Sequence, residues 1–173
     1  MAIISIWLLS GENDDKVVAI DSEKVRTSDY SITDFTLTVM DDLGSPSRVI
    51  TGKKMAHYPD DDSTEIYFPV ARVIDREKDN WIMSSNQGIT YGKGDIITLV
   101  GNVTITRQDN EIELHTEKLI LDTLHNTAYT DQFVSITSPY GNTESVGLHA
   151  SLDDKMINLH SRVKGHYNAP PTQ

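Results

Sequence analysis

The sequence predicts an all-β protein, built as a sandwich or roll of antiparallel strands. Its most regular segment is ITLVGNVTI, in which Ile97, Leu99, Val103 and Ile105 alternate with residues of the opposite face. A period of two carried by β-branched and aliphatic residues is typical of a strand with one buried face. Turn-forming residues recur about every 8 to 12 positions, and no run of about ten residues has helical spacing.

The apolar N-terminal segment MAIISIWLL ends abruptly at the polar SGENDD. Residues 1–9 in a helix would rise about 14 Å, roughly half of a bilayer core. We interpret residues 1–10 as the tail of an N-terminal membrane anchor or, alternatively, as an apolar strand. Residues 11–29 are then a linker or a first strand. A signal peptide is disfavoured because no basic residue precedes the apolar run.

Strands are predicted from Tyr30 onward. The first, DFTLTVMD, places Phe35, Leu37 and Val39 on one face and leads into a turn at residues 41–46. The strand RVITGKKMAHY follows and ends in a second turn. In the next strand, EIYFPVARVID, Pro69 predicts a bend or an edge position because proline cannot donate a ladder hydrogen bond.

The second half of the chain continues the β pattern. A strand that starts at residues 80–83 is expected to be ended by residues 86–88, and Gly101 in ITLVGNVTI predicts a bulge or bend. Four more strands follow: EIELHTEKLILD, FVSIT, VGLHASL and MINLHSRVKGHY. Residues 88–103 and 147–163 match each other with one inserted residue, which indicates repeated β units. The β domain therefore spans residues 30–167, and residues 168–173 form a tail predicted to be disordered.

The composition indicates a single globular domain and disfavours a nucleic-acid ligand. The 173-residue chain has a formal net charge of -11 and a mean hydropathy of -0.37. Phosphate backbones are bound by basic surfaces, so we expect no nucleic-acid partner. The absence of cysteine excludes a thiol nucleophile, a disulfide framework and a cysteine zinc site.

The sequence contains no recognisable active-site motif. Its six histidines are scattered singly, and the acidic run 60–62 lacks the glycine and terminal glutamate of an EF-hand loop. We therefore expect no enzyme activity, no metal and no cofactor.

The apolar faces of the predicted strands together form a candidate site. Their side chains either fill a closed core or line an apolar trough that accommodates acyl chains, and periodicity alone does not distinguish the two. The candidate lining residues are Phe35, Leu37, Ile66, Phe68, Trp81, Leu99, Val103, Ile105, Leu114, Leu121, Val134, Ile136 and Leu148.

Several spaced motifs carry a family resemblance. The core motif is D-x-x-x-L-x-G-x-V-x-I, at Asp95, Leu99, Gly101, Val103 and Ile105, and a W-x-[IM]-x-[SA] strand at Trp81 precedes it. Further matches in the same order are Ile112, Leu114, Thr116, Leu119, Leu121, Asp122, Ala128, Thr130, Asp131, Val134, Gly147, Ala150, Val163, Gly165 and Tyr167. Over residues 30–167 the sequence resembles the LptC family of lipopolysaccharide export.

The resemblance implies an open, twisted β-jellyroll of the OstA or LptA type, with lipopolysaccharide acyl chains in its groove. It also implies a non-enzymatic relay, which accepts lipid from the LptBFG transporter through LptF and LptG and passes it to LptA. The implied location is the Gram-negative inner membrane, with a single membrane pass and a periplasmic main domain. Because the chain is acidic, we expect acyl chains to dominate recognition, with lipid phosphates near the groove mouth.

Partner contacts are implied at the two edges of the sheet. Gly44, in the first hairpin, would lie near the extractor-facing edge, and the LptA-facing edge would include Leu152, Met156, Leu159 and Val163. The sequence leaves open a homodimer. Alternative functions are a soluble OstA-like bridge protein and a β-sandwich module for carbohydrate binding or adhesion.

Overall fold

The structure, a computed structural model, describes residues 26–41, 43–74, 81–107, 112–151, 154 and 156–167. Over these residues the chain is all-β, and they contain no helix that could cross a membrane. The predictions for residues 1–10, for 11–25 and for the tail 168–173 lie outside the described part. The strands are β1 (Tyr30–Met40), β2 (Pro46–Tyr58), β3 (Ser63–Tyr67), β4 (Val70–Val73), β5 (Trp81–Ser84), β6 (Gln87–Tyr91), β7 (Ile96–Arg107), β8 (Ile112–Asp122), β9 (Thr127–Ser138), β10 (Gly141–Ser151) and β11 (Met156–Tyr167).

The strands form one open antiparallel sheet that follows the chain. β11, β10, β9, β8 and β7 are consecutive neighbours, and β7 then pairs with both β5 and β6. β2 likewise pairs with both β3 and β4 before β1 completes the sheet. Within the described chain β1 pairs only with β2, and β11 only with β10, so the sheet ends in two unpaired edges. This architecture confirms the predicted all-β, open jellyroll class.

A row of bends crosses the sheet and divides it into two half-sheets. Positive φ values mark this row in β1, β7, β10 and β11, at Asp34, Gly101, Asn102, Gly147 and Arg162. Strand register shifts at the corresponding points of β7–β8, β8–β9, β9–β10 and β10–β11. Such bulges bend a strand and increase its twist, so the sheet folds along this row.

The same row separates β3 from β4 and β5 from β6. Phe68 has a φ of 51°, and its amide donates to the carbonyl of Asn86 at 2.8 Å. The Asn86 amide in turn donates to the Gly101 carbonyl at 2.8 Å. Backbone groups left unpaired at one bend are thereby satisfied by the next bend. The predictions of a bend at Pro69 and a bulge at Gly101 are confirmed.

The two half-sheets face each other across an apolar layer, which we call the trough. We call the two sides of the row of bends half-sheet A, which contains Leu99 and Leu148, and half-sheet B, which contains Val103, Leu114 and Val134. Val103 packs in one cluster with Leu99, and Leu148 packs with Leu114 and Val134. Side chains of opposite half-sheets therefore meet across the fold line.

The strand that starts near Trp81 was expected to be ended by residues 86–88. β5 ends at Ser84, and only Ser85 and Asn86 lie outside strands before Gln87 begins β6. Gly88 pairs with Leu99 in the ladder because a strand bend, and not a chain reversal, separates β5 from β6. The two matching sequence segments are the β6–β7 and β10–β11 hairpins.

Candidate functional site

Strand register places nearly all predicted lining residues on the trough side of the sheet. In half-sheet B, Phe35 lies opposite Gly52, and the row through Ile105 continues to Leu114 and Ile136. In half-sheet A, Ile66 lies opposite Gly88, which lies opposite Leu99. Residues directly opposite in neighbouring strands share a face, so these side chains line a common surface.

The trough is tightly packed between β7 and β10. Val103 and Val134 are fully buried, and Leu119 and Leu148 are each 1% exposed. Among the predicted lining residues, Leu99 and Leu114 are also buried here, and Ile105, Leu121 and Ile136 are half-buried. In this part the facing side chains fill the space between the half-sheets.

The trough is open between β1 and β4. Leu37 is 46% exposed and Ile32 is 47% exposed, although both lie on the trough side of β1. Phe35, Ile66 and Trp81 are half-buried. An apolar face that remains accessible in this way is able to take up apolar ligands.

A depression of about 340 Å³ lies at the bend of the open part. Phe35, Phe68 and Val70 line it together with Gly52 and neighbouring polar residues. Phe68 is 59% exposed and lies at the bend itself rather than within a strand. A Cβ atom at Gly52 would lie 2.9 Å from both the Phe35 ring and Ile66 Cγ2. Glycine at this position therefore lets Phe35 and Ile66 pack against the backbone.

The predicted interface residues are distributed over both ends of the sheet. Gly44 lies in the β1–β2 turn with a φ of 75°, next to the unpaired edge of β1. In β11, Met156 and Val163 are exposed, whereas Leu159 is half-buried and packs against the cluster of Leu148. Leu152 lies outside the described residues.

An ion-pair cluster that the sequence analysis missed joins the start of the described chain to the outer face of half-sheet A. The Arg26 guanidinium lies 2.7 Å from Glu65 Oε1, 2.8 Å from Asp61 and 3.5 Å from Asp60. It also stacks 4.1 Å from the centroid of the Tyr58 ring. Two carboxylates of the acidic run 60–62 thus form ion pairs with an arginine of the same chain. Within the described residues no group of three or more His, Asp or Glu side chains could hold a metal.

His57 makes a second link between the β1 end and the β2–β3 turn. Its Nδ1 lies 2.8 Å from Asp29 Oδ1, its Nε2 lies 3.1 Å from Asp62 Oδ1, and Tyr30 stacks on the ring at 5.0 Å. The hydrogen bonds to Asp29 and then Asp62 raise the pKa of His57 above its ordinary value. Two carboxylates facing both ring nitrogens favour the doubly protonated imidazolium, which donates from each nitrogen.

A row with two arginines crosses the trough side of half-sheet B near the strand ends. Arg48 lies opposite Val73, Val73 opposite Trp81, and Trp81 opposite Arg107. The Arg107 guanidinium carbon lies 5.7 Å from the centroid of the Trp81 ring. We call these four residues the arginine row. Because its members share a face with the lining residues, they stand at one rim of the trough.

The whole pattern of the chain matches a known family. The family model described as LptC: Lipopolysaccharide-assembly, LptC-related, matches residues 1–168. This chain belongs to the LptC family. Comparison with individual curated proteins gives no match.

Membership in the LptC family establishes the broad biological process. The family is a component of the lipopolysaccharide transport system of the Gram-negative envelope and takes part in outer-membrane assembly. This LptC chain has an open sheet and an accessible apolar surface on the trough side of β1.

Proposed function

We propose that this chain is a non-enzymatic relay that binds lipopolysaccharide acyl chains in the open part of the trough. The observation that carries the proposal is the accessible apolar face on which Ile32 and Leu37 are exposed and Phe35 and Ile66 are half-buried. Each buried methylene contributes about 0.8 kcal/mol, so a few acyl carbons per chain suffice for affinity without a polar motif. The tightly packed part between β7 and β10 would give this binding surface a rigid support.

The two unpaired edges support transfer between neighbouring proteins. We propose that the β1 edge, near Gly44, receives lipid from LptF and LptG of the LptBFG transporter. The β11 edge, at Met156–Tyr167, would pass it to LptA. Unpaired edge strands pair readily with strands of another chain, and such pairing would extend the trough across the protein boundary. Over the described residues both edges are unpaired, and their outer strands are largely exposed.

The proposed location follows from the same role. We infer a β domain in the periplasm over residues 30–167, held at the inner membrane by a single anchor to which residues 1–10 belong. Residues 11–29 would connect the two, and Arg26 and Asp29 would fix the end of this connection to the domain.

Photo-crosslinking in cells tests lipid binding most directly. A photoreactive residue at Leu37 faces the trough, and one at Thr38 occupies the next position on the opposite face of the same strand. A second pair, at Val103 and Thr104, probes the packed part, where Val103 is fully buried. We expect lipopolysaccharide adducts at Leu37 and few adducts at Thr38, Val103 or Thr104.

The pattern of adducts separates the alternatives. Equal labelling at Leu37 and Thr38 would contradict a trough-specific site, as would labelling at neither position. Adducts at Val103 comparable to those at Leu37 would mean that the packed part opens to admit lipid. Adducts to LptA at Met156 or Val163, but not at Leu37, would support the assignment of the β11 edge.

A further inference from the structure

The first residues of the described chain make contacts on both faces of the sheet. Asp29 extends the β1 ladder, because its amide donates to the His57 carbonyl at 3.2 Å. Its carboxylate lies 2.8 Å from the His57 ring, on the trough side. Three residues earlier, Arg26 contacts Ser63 and Glu65 of β3, on the outer face. The chain therefore turns around the end of β2 between these two residues.

The Arg26 guanidinium is bound by buried polar side chains. Ser63 is 1% exposed and Glu65 is 9% exposed, although both alternate with the trough-side residues of β3. Arg26 donates to Glu65 Oε1 at 2.7 Å and to Ser63 Oγ at 2.7 Å. The second Glu65 oxygen accepts from Tyr67 Oη at 3.2 Å and from Gln87 Nε2 at 3.1 Å. Removing one partner of a buried ion pair leaves an uncompensated charge, so this contact holds the chain more firmly than a surface pair.

The place of this contact matters because the trough is open close by. Ile32 and Leu37 are about half exposed on the trough side of β1. The connecting segment, residues 11–25, contains the apolar run VVAI at residues 17–20. An extended chain between this run and Asp29 spans up to about 30 Å, which is long enough to reach both side chains. The run is thus a potential competitor of acyl chains for the same apolar surface.

We propose that Arg26 is a positioning residue, which directs the connecting segment to the outer face of half-sheet A and so keeps the open part of the trough clear for lipid. This inference rests on the proposed function, because it concerns access to the same surface. With Arg26 bound at Glu65, the chain leaves the domain on the outer face. Release of Arg26 would let the run at residues 17–20 fold around the β1 edge onto Ile32 and Leu37, where it would exclude acyl chains.

The variants separate the position of the segment from charge and stability. Arg26→Gln alone would leave the buried Glu65 carboxylate without its cation, whereas Arg26→Gln/Glu65→Gln removes the ion pair without burying an unpaired charge. Arg72→Gln is the control, because Arg72 is an exposed arginine on the outer face of half-sheet B. A further variant adds serine at positions 17, 18 and 20 to the Arg26→Gln/Glu65→Gln chain.

Two measurements on the full chain in nanodiscs test the proposal: the affinity for purified lipopolysaccharide, and intramolecular crosslinking from a photoreactive residue at Leu37 without lipopolysaccharide. We expect Arg26→Gln/Glu65→Gln to bind about 5-fold more weakly than wild type and Arg72→Gln, because its own segment would occupy the trough about 80% of the time. Crosslinks from Leu37 to residues 17–20 should increase in the same variant. Serine at positions 17, 18 and 20 should restore the wild-type affinity, which a purely structural role of Arg26 does not predict.

The outcomes distinguish this inference from the proposed function. Wild-type affinity in Arg26→Gln/Glu65→Gln would overturn the positioning role of Arg26 and leave the acyl-binding trough intact. A loss of affinity that serine does not restore would also overturn it, because the loss would then arise within the domain. Equal crosslinking from Leu37 to residues 17–20 in wild type and variant would contradict the role of Arg26 in keeping the trough clear. A wild-type chain that binds no lipopolysaccharide would overturn the proposed function itself.

Discussion

The two parts of the trough use the same alternation of side chains but reach opposite states of packing. Between β7 and β10, Leu148 from half-sheet A meets Leu114 and Val134 from half-sheet B, and water is excluded. Between β1 and β4, Leu37 is on the trough side and remains 46% exposed. Leu148 lies in β10, which has a neighbour on each side, and packs against residues of half-sheet B. Leu37 lies in the edge strand β1, which pairs only with β2 in the described part of the chain.

The two parts of the trough therefore contribute differently to the stability of the fold. Packed side chains that fill the space between half-sheets give the fold its stability, because each buried aliphatic residue loses contact with water. Apolar side chains that stay accessible contribute less to stability and remain available to a lipid. One sheet can therefore combine a packed core with an accessible apolar surface.

The comparison predicts its largest difference for a matched pair of leucines. Leu148→Ala should cost about 2 to 5 kcal/mol of unfolding free energy, because it leaves a cavity in a packed cluster. Leu37→Ala should cost less than about 1 kcal/mol, because much of its side chain already contacts water. Urea unfolding of both variants measures the difference, and equal costs would mean that the trough is closed along its whole length.

Two glycines with the same φ of 75° test the row of bends. At Gly44 an added Cβ would meet open space, whereas at Gly101 it would lie 2.7 Å from Asn86 Nδ2. Alanine at either site carries a left-handed backbone penalty of about 1 to 2 kcal/mol. Gly101→Ala should add a small further cost, because the exposed side chain of Asn86 must move away from the new Cβ. Thermal or urea unfolding measures the stability of the two variants. A larger loss of stability for Gly44→Ala than for Gly101→Ala would contradict a steric contact between position 101 and Asn86.

The His57 link predicts a pH effect confined to the start of β1. Because the folded pKa of His57 is raised by Asp29 and Asp62, its stabilising contribution is present below the ordinary histidine value of 6.5 and is lost as pH rises through the folded pKa. Asp29 has a lowered pKa, chiefly from its hydrogen bond to His57, so its contribution is lost when pH falls through that lower value. The link should therefore be strongest in mildly acidic solution.

Amide exchange at residues 30–33, corrected for intrinsic rates, should show better protection at pH 5.5 than at pH 8. The variant His57→Asn removes the titrating group and should abolish the difference. Protection in β7 to β10 should not follow His57. A pH response of equal size in both parts of the molecule would contradict a local link.

The smallest effect is expected at an exposed ion pair of the open part. Lys53 Nζ lies 3.3 Å from Asp34 Oδ1, and both side chains are largely exposed. Such surface pairs contribute little because water and salt screen them. Lys53→Gln should leave the urea midpoint unchanged within error, and a clear loss would show that this pair holds the β1 bend.

The strands and several of their irregularities could be predicted because their signals are local. The alternation around Leu99 and Val103, the glycine at 101 and the proline at 69 each act through neighbouring residues. In β8 the alternation of apolar residues is interrupted between Leu114 and Leu119. This interruption coincides with the shift in register between β8 and β9. The start of β6 at Gln87 was not predicted, because the residue types at 86–88 suit a strand end as well as a bend between two strands.

The candidate site was less predictable. The lining residues could be assigned to one face, but their exposure could not, because Leu37 and Leu121 follow the same alternating pattern. The Arg26 cluster and the arginine row were also missed, since their members are far apart in sequence. Only strand pairing brings Arg48, Trp81 and Arg107 into one row.

The sequence by itself determined the all-β class, the strand alternation and the family, because these depend on local periodicity and on spaced motifs. Tertiary structure decided which stretch of the apolar face is packed and which is open. It also decided which charges stand at each rim. The physical reason is that burial and electrostatic environment depend on the residues across the fold line, and these are set by the row of bends and by strand register.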